Sequence, residues 1–139
     1  MGIRIEGLWE MERRLQEIAR KLPKERDKFL DQEAELLRGR AVSNTPVGKV
    51  NGGTLKGAWT KTKPIGGSIE VYNNEDYAAY VEYGHRLKYT RGDKRGQWVK
   101  DSSGKLKFVP GSHMLREAVE ETKTAFHDDA ERLLGRLLQ

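Results

Sequence analysis

Apolar positions recur every three or four residues over the first third of the chain, with mostly charged side chains between them. The first stripe consists of Leu8, Met11, Leu15, Ile18 and Leu22. The second consists of Phe29, Leu30, Ala34, Leu37 and Ala41. Each stripe predicts an amphipathic helix. Because proline is favoured in the first turn of a helix, Pro23 is expected to end the first helix and open the second, which should stop before Asn44.

The middle of the chain is predicted to form turns, short strands and one short helix. Residues 45–58 contain one proline and four glycines and predict a loop. The β-rich segments 59–65 and 68–73 flank Gly66-Gly67, which predicts an antiparallel hairpin. Residues 76–84 place apolar side chains at helical spacing and predict a short helix capped by Gly84. A second short hairpin is expected around the turn at residues 101–104.

The last segment again has helical periodicity. Ser112 follows a Pro-Gly pair and is expected to be the N-cap of a long helix. The predicted stripe of this helix consists of Leu115, Ala118 or Val119, Thr122, Phe126, Ala130, Leu133 and Leu137. The pattern as a whole predicts one α+β domain, residues 1–139, with a small antiparallel β-sheet packed against a long C-terminal helix and N-terminal helices. The loops at about 45–58 and 86–107 are expected to be mobile.

Charge is unevenly distributed along the chain. With 26 Lys and Arg against 21 Asp and Glu, the net charge is +5, which permits contact with nucleic acid or an acidic partner. Residues 86–107 hold eight basic and two acidic residues, a local net charge of +6. The basic residues are Arg86, Lys88, Arg91, Lys94, Arg95, Lys100, Lys105 and Lys107. Tyr89 and Trp98 lie among them, so this segment is the best candidate for nucleic-acid binding, although a solvated basic loop is the interpretation that such a segment favours by default.

Candidate catalytic chemistry is sparse. Glu82 and His85 are three residues apart, and on a helix the carboxylate could orient the imidazole. However, the chain has no cysteine and none of the common nucleophile, metalloprotease or phosphate-loop motifs. The three histidines also lack metal-site spacing. We therefore expect no catalytic site, metal or cofactor, and we favour a surface Glu and His beside a helix end.

The sequence contains no sign of export or of membrane insertion. The chain has no secretory signal pattern and no apolar run near the roughly 20 residues that span a bilayer, so a soluble protein without membrane contact is expected.

Four tyrosines are concentrated in one short segment. Tyr72, Tyr77, Tyr80 and Tyr83 fall within twelve positions, and tyrosine is enriched at surfaces that a partner covers. Some of these rings could instead close the core; we expect Tyr80 inside and Tyr83 nearer an interface rim.

Three motifs, in this order, resemble those of the tail-completion, or head–tail joining, proteins of long-tailed bacteriophages and prophages. The first is Thr-Pro-Val at residues 45–47, followed by Gly-Thr-Leu-Lys-Gly-Ala-Trp at 53–59. The second, and the most specific, is Tyr-Ala-Ala-Tyr-Val-Glu-Tyr-Gly-His at 77–85. The third is Pro-Gly-Ser-His-Met-Leu-Arg-Glu-Ala at 110–118, at the entry to the last helix.

The resemblance implies a structural virion protein that forms a ring, of six subunits, around the DNA channel. Its implied partners are other copies of itself, a head-side connector or stopper protein, and a tail-tube or tail-terminator protein. It would assemble in the host cytoplasm and then remain in the virion. The rival interpretations are a stand-alone basic nucleic-acid-binding module that uses residues 86–107 and, last, an enzyme that uses Glu82 and His85.

Three groups of residues are then expected to serve assembly. The subunit interface would include Tyr77, Tyr80, Glu82, Tyr83, His85 and Arg86. The assembly loop would include Thr54, Leu55, Lys56 and Trp59. Contact with DNA in the lumen would involve Lys88, Arg91, Lys94 and Arg95.

Overall fold

The computed structural model describes residues 1–48 and 53–139. Its helices are α1 (Leu8–Asn44), α2 (Thr54–Gly57), α3 (Ala78–Tyr83) and α4 (Met114–Leu138). Its strands are β1 (Trp59–Lys61), β2 (Val71–Asn73), β3 (Gly84–Arg86) and β4 (Phe108–Pro110). Two long helices with short strands between them confirm the α+β class. The strands form two separate antiparallel pairs, β1–β2 and β3–β4, and not the single sheet that the sequence suggested.

Helix α1 is one continuous helix of 37 residues with Pro23 inside it, so the prediction of two helices is wrong. The reason lies in the spacing of the two stripes. Leu22 and Phe29 are seven residues apart, which is close to two helical turns, so an unbroken helix keeps both stripes on one face. The predicted stop is nearly correct, since the helix ends at Asn44.

Helices α1 and α4 pack antiparallel along their length. At one end the Asn44 amide donates to the Met114 carbonyl oxygen over 3.3 Å. In the middle, the rings of Phe29 and Phe126 lie 5.3 Å apart between centroids. At the far end Arg14 donates to the carbonyl oxygen of Leu138 over 3.0 Å. This helix pair is the long axis of the domain, and the strands gather at its Asn44 end.

The core lies where the helix pair meets the strands. It consists of the buried side chains of Ala41, Leu55, Trp59, Met114 and Ala118. The buried indole Nε1–H of Trp59 donates to Thr45 Oγ1 over 2.7 Å, and the Thr45 hydroxyl donates to the Ala41 carbonyl oxygen over 2.6 Å. Since a buried donor without a partner is costly, this relay lets a tryptophan fill the core.

Residues 45–58 were predicted to be a loop, but residues 54–57 form helix α2. The cause is Leu55, which one helical turn directs into the core, where it is buried. Residues 49–52 of the same predicted loop lie outside the described residues.

The first predicted hairpin is confirmed. Strands β1 and β2 pair from Trp59 opposite Asn73 to Lys61 opposite Val71. Ile65 and Ser68 then exchange two backbone hydrogen bonds of 2.9 and 3.0 Å across the turn. Gly66 and Gly67 both have positive φ, 59° and 78°, which a two-residue turn of this kind favours.

The second predicted hairpin is present but belongs to a larger arrangement. Lys100 and Leu106 form a β-bridge across the 101–104 turn. Three further backbone bonds join three stretches of chain in a cycle: Leu87 N to Lys107 O (3.0 Å), Lys107 N to Val99 O (2.8 Å) and Val99 N to Leu87 O (2.9 Å). Residues 86–107 are therefore paired with one another through their backbone, on top of the β3–β4 pair.

Pro23 gives a direct test of the continuous helix. We expect Pro23→Ala to stabilise the protein by about 1–3 kcal/mol, because proline inside a helix lacks the N–H donor and crowds the preceding turn. Urea denaturation with circular dichroism measures the change. Gln16→Ala, at another exposed position of α1, is the control and should shift stability by less than about 0.5 kcal/mol. If Pro23→Ala instead lowers the free energy of unfolding, Pro23 does not act only through the local cost of a proline inside the helix.

Candidate assembly surface

The start of α4 is held by a side chain from another element. Helix α4 has no side-chain N-cap of its own, and His113, at the cap position, has a φ of 51°. Glu82, on α3, supplies the acceptors: Oε2 accepts from Leu115 N over 2.8 Å and Oε1 accepts from Arg116 N over 2.9 Å. These amides are in the first turn, which an N-cap normally satisfies. The carboxylate also opposes the positive end of the helix dipole.

Ser112 was predicted to be this cap, and that prediction is wrong. Its backbone N–H and its hydroxyl both donate to the carbonyl oxygen of Val81, over 2.8 and 3.2 Å. The serine thus ties the segment before α4 to α3, and Glu82 is left as the cap. Glu82 is buried, whereas the sequence suggested a polar contact on the rim of an interface.

Two glycines allow α3 to lie this close to the entry of α4. A Cβ at Gly111 would collide with the carbonyl oxygen of Glu82. A Cβ at Gly84, which has a φ of 83°, would collide with the carbonyl oxygen of Val109. The prediction that Gly84 adopts positive φ at the end of the short helix is confirmed. Residues 77–85, the second family motif and hereafter the aromatic motif, are therefore held against the entry of α4 by close backbone packing as well as by Glu82.

The outer side of this unit exposes large rings, which we call the aromatic surface: Tyr77, Tyr80, Tyr83 and Phe108. Their exposed fractions are 42%, 60%, 72% and 54%. The expectation that Tyr80 packs inside is wrong, because Glu82 and Val81 point inward from α3 and turn Tyr80 outward. The exposure of Tyr83 is as predicted. So many exposed rings on one short helix and the adjoining strand are typical of a surface that a partner covers.

A cleft of about 500 Å³ lies beside the aromatic surface. Its lining includes Tyr77, Tyr80, His85, Arg86 and Trp98. The ring of His85 packs edge-on against Tyr80, with 5.8 Å between centroids, and its Nδ1 has no hydrogen-bond partner among the described residues. Glu82 directs both carboxylate oxygens to α4, so Glu82 and His85 do not form the hydrogen-bonded acid–base pair that an enzyme would need.

The predicted assembly-loop residues divide into two groups. Leu55 and Trp59 are buried in the core, so within the subunit their role is structural. Thr54 is exposed and Lys56 is half-buried. These two remain on the outside of α2.

The basic segment, residues 86–107, carries its charge without compensation. None of its eight basic side chains forms an ion pair with any residue that the structure describes. Lys88 Nζ lies 4.2 Å from the Trp98 ring centroid, and Lys94 Nζ lies 5.8 Å from that of Tyr89. Arg91 and Arg95 are exposed near the tip. All four predicted DNA contacts are thus exposed to solvent, and two of them, Lys88 and Lys94, also lie against neighbouring rings.

Asp101 is one of the two acids in the basic segment, and it serves the turn. Its Oδ1 accepts from the Ser103 hydroxyl over 2.6 Å and from the backbone amides of Ser103 and Lys105 over 2.9 and 3.0 Å. These bonds, led by the one from the Ser103 side chain, lower the pKa of Asp101. The carboxylate therefore accepts hydrogen bonds from residues of its own turn and not from a neighbouring cation.

Sequence reasoning missed a pair of acids in the middle of the helix pair. Glu33 is buried between α1 and α4. Burial raises its pKa, and a hydrogen bond and charge repulsion from Asp129 raise it further, while Arg40 acts in the opposite direction. Glu33 lies between Leu30 and Ala34 on the apolar face. A glutamate within an apolar stripe is the signal that could have revealed the pair.

A comparison with models of known protein families shows which family the chain belongs to. Residues 10–84, more than half of the chain, match the family model HK97-gp10_like, whose description is "Bacteriophage HK97-gp10, putative tail-component". The chain belongs to the HK97-gp10-like family. The resemblance read from the motifs is confirmed at this level, and the protein is a structural phage tail component associated with the virion. No curated protein and no solved structure matches the chain significantly.

The match ends at Gly84, one residue before the end of the aromatic motif and at the first residue of β3. It therefore includes α3 with Glu82 and excludes the basic segment and α4. In the described residues of this family member, no helix is long and apolar enough to cross a membrane. Nor do three or more potential ligands gather there as a metal site would require.

Removal of the Glu82 carboxylate tests its role as a cap. Glu82→Ala leaves two first-turn amides without acceptors, and we expect it to lower the free energy of unfolding by about 2 kcal/mol. Glu82→Gln keeps one acceptor oxygen and should cost roughly half as much. Glu117→Ala, an exposed acid in the first turn of α4, is the matched control and should cost less than about 1 kcal/mol. Equal losses in Glu82→Ala and Glu117→Ala would rule out the cap.

The acid pair predicts a pH dependence of stability. Because the pKa of Glu33 is raised in the folded state above its ordinary value of 4.5, the folded protein binds this proton more tightly than the unfolded chain does. Its contribution is full below pH 4.5 and is lost as the pH rises through the folded-state pKa. Glu33→Gln mimics the protonated form, so its melting temperature should exceed that of the wild type at pH 8 and approach it at pH 4. Glu117→Gln should show no such convergence; a pH-independent difference for Glu33→Gln would contradict the assignment.

Proposed function

We propose that this tail component completes the tail at the head–tail interface by forming a ring, of six copies, around the DNA channel. The observation that carries the proposal is the aromatic surface, which lies in and next to the motif shared with the family. Its rings are exposed, although Met114 is the only large side chain that is completely buried among the residues that the structure describes. A subunit with a small core and large exposed rings gains much of its apolar burial from partners.

A ring requires each subunit to present two different surfaces, one for each neighbour. The aromatic surface is one of them, with Tyr83 at its centre and His85 and Arg86 on the rim. Glu82 acts behind this surface by fixing α3 on α4. Thr54 and Lys56, on the outside of α2, remain candidates for a further contact.

The ring would contact a head-side connector or stopper protein on one side and a tail-tube or tail-terminator protein on the other. It would form in the host cytoplasm and persist in the virion. The role is structural and involves no catalysis, metal or cofactor. The pairing of Glu82 with α4, and not with His85, supports this view.

A second candidate function rests on the basic segment. Its eight cations lack ion-pair partners among the described residues, and Tyr89 and Trp98 lie beside them, so a stand-alone nucleic-acid-binding module would use the same surface. Within the ring, the corresponding contact would be with DNA in the lumen, through Arg91 and Arg95 and, after release from their rings, Lys88 and Lys94. Steep salt dependence of duplex binding by the free subunit would favour this second function.

Deletion of residues 88–105 tests the proposed function. In β3–β4, Arg86 pairs with Phe108, so the deletion leaves Leu87, Leu106 and Lys107 as a three-residue hairpin connection. We expect a folded monomer with an unchanged helical circular dichroism spectrum, together with a loss of tail joining, seen as free heads and free tails by electron microscopy. A wild-type copy supplied in trans is the control and should restore joined particles. Normal tail attachment by the deletion variant would overturn the role of this segment in assembly.

A further inference from the structure

Helix α4 carries a row of acids on its outer side, which we call the acidic stripe: Glu117, Glu120, Glu121, Asp128 and Glu131. All five side chains are exposed. Their spacing of three, four or seven residues places them on one helical face over about 21 Å. Residues 117–131 contain six acids and one lysine, so their net charge is −5 with histidine neutral.

The stripe is only partly neutralised within the subunit. Arg40 lies 3.8 Å from Glu121 and Lys123 lies 3.9 Å from Glu120, both distances being between nitrogen and oxygen. Glu117 and Asp128 have no ion-pair partner among the described residues. Like charges three or four residues apart repel each other on a helix, so the row is a local cost that an external cation would relieve.

The chain also carries the complementary charge. The basic segment has a net charge of +6 over 22 residues, close in size and opposite in sign to the acidic stripe. Within the described subunit, none of its cations reaches the stripe. Backbone hydrogen bonds through Leu87, Val99 and Lys107 pair the segment with itself. In a single copy, the positive charge of the segment and the negative charge of the stripe therefore do not neutralise each other.

We propose that the basic segment of one copy docks on the acidic stripe of the next copy. This inference rests on the proposed ring and names its charged contact. The pairing is heterologous, since it joins two different surfaces, and successive copies therefore close into a ring or extend into a chain. At the start of the stripe, a groove of about 510 Å³ is lined by His113, Arg116, Glu117, Glu120 and Glu121, which offers three carboxylates to an incoming lysine or arginine.

The charge balance favours a second copy over DNA as the occupant. DNA would satisfy the basic segment but would repel the acidic stripe on the same subunit. A second copy satisfies both surfaces at once and uses only residues of this chain. Such a contact weakens as salt screens it, with a Debye length of about 10 Å at 0.1 M and about 3 Å at 1 M, and it steers copies into one orientation.

A charge swap on the full-length chain tests the contact. One variant reverses the stripe with Glu117→Lys, Glu120→Lys and Asp128→Lys, which spares Glu121 and its contact with Arg40. The other reverses the segment with Arg91→Glu, Arg95→Glu, Lys100→Glu and Lys105→Glu, which changes its net charge from +6 to −2 and spares the two lysines stacked on rings. Sedimentation velocity at 50 mM and 500 mM NaCl measures self-association, and circular dichroism verifies folding.

We expect each variant alone to associate at least about tenfold more weakly than the wild type, because its two surfaces then carry the same sign. Mixed in equal amounts, the two variants should associate again, since each reversed surface meets the opposite sign on the other variant. Single substitutions Asp128→Lys and Arg95→Glu, tested in the same mixture, keep the result interpretable if either multiple variant fails to fold.

Several outcomes would overturn the contact. If wild-type rings form and neither reversal weakens them, the contact is wrong while the proposed ring stands. If the wild type never associates and is absent from virions, the proposed function itself fails. If the stripe variant gains affinity for a DNA duplex, the segment variant loses it, and mixing restores no association, then the partner of the basic segment is nucleic acid.

Discussion

The carboxylate of Glu82 is the interaction on which the arrangement of this protein depends. Helix α4 has no cap of its own, and two of its first-turn amides bond to a glutamate 33 and 34 residues earlier in the chain. The same bonds fix α3, and Gly84 and Gly111 bring β3 and β4 against it without intervening side chains. Both surfaces that we assign to assembly, the aromatic surface and the basic segment, extend from this unit. Their orientation relative to the helix pair therefore depends on one buried carboxylate and its two hydrogen bonds to backbone amides.

The helix pair and the strand end contribute different properties. Along α1 and α4 the packing is loose at the far end, where Leu8, Met11 and Leu138 are exposed, and it includes a buried acid pair in the middle. At the strand end, Trp59, Thr45 and Met114 make a compact core with its polar atoms satisfied. This gradient places the rigid part of the subunit directly beneath the aromatic surface, where a precise contact needs a fixed backbone.

Charge is separated within the subunit as well. The net charges of residues 117–131 and 86–107, −5 and +6, nearly cancel, yet the backbone of the basic segment pairs with itself and no ion pair joins the two among the described residues. Separation of charge in a monomer costs stability through repulsion on each surface, and the proposed association between copies would recover it. In the proposed contact, the exposed aromatic side chains would supply short-range packing, while charge would supply orientation and sensitivity to salt. A subunit of this kind is suited to assemble with its own copies in one direction.

The sequence determined the elements whose signals are local: the two long amphipathic segments, the Gly-Gly hairpin, the short helix ending at Gly84, the concentration of cations in 86–107 and the family motif. Tertiary structure decided the rest. It kept α1 continuous through Pro23, because both stripes face α4; it placed Leu55 and Trp59 in the core, because the helix pair leaves a space there; and it turned Tyr80 outward. It also made Glu82 the cap of α4 in place of Ser112. These outcomes depend on contacts between residues far apart in the chain, and no local pattern of residue types encodes which distant partner a side chain will meet.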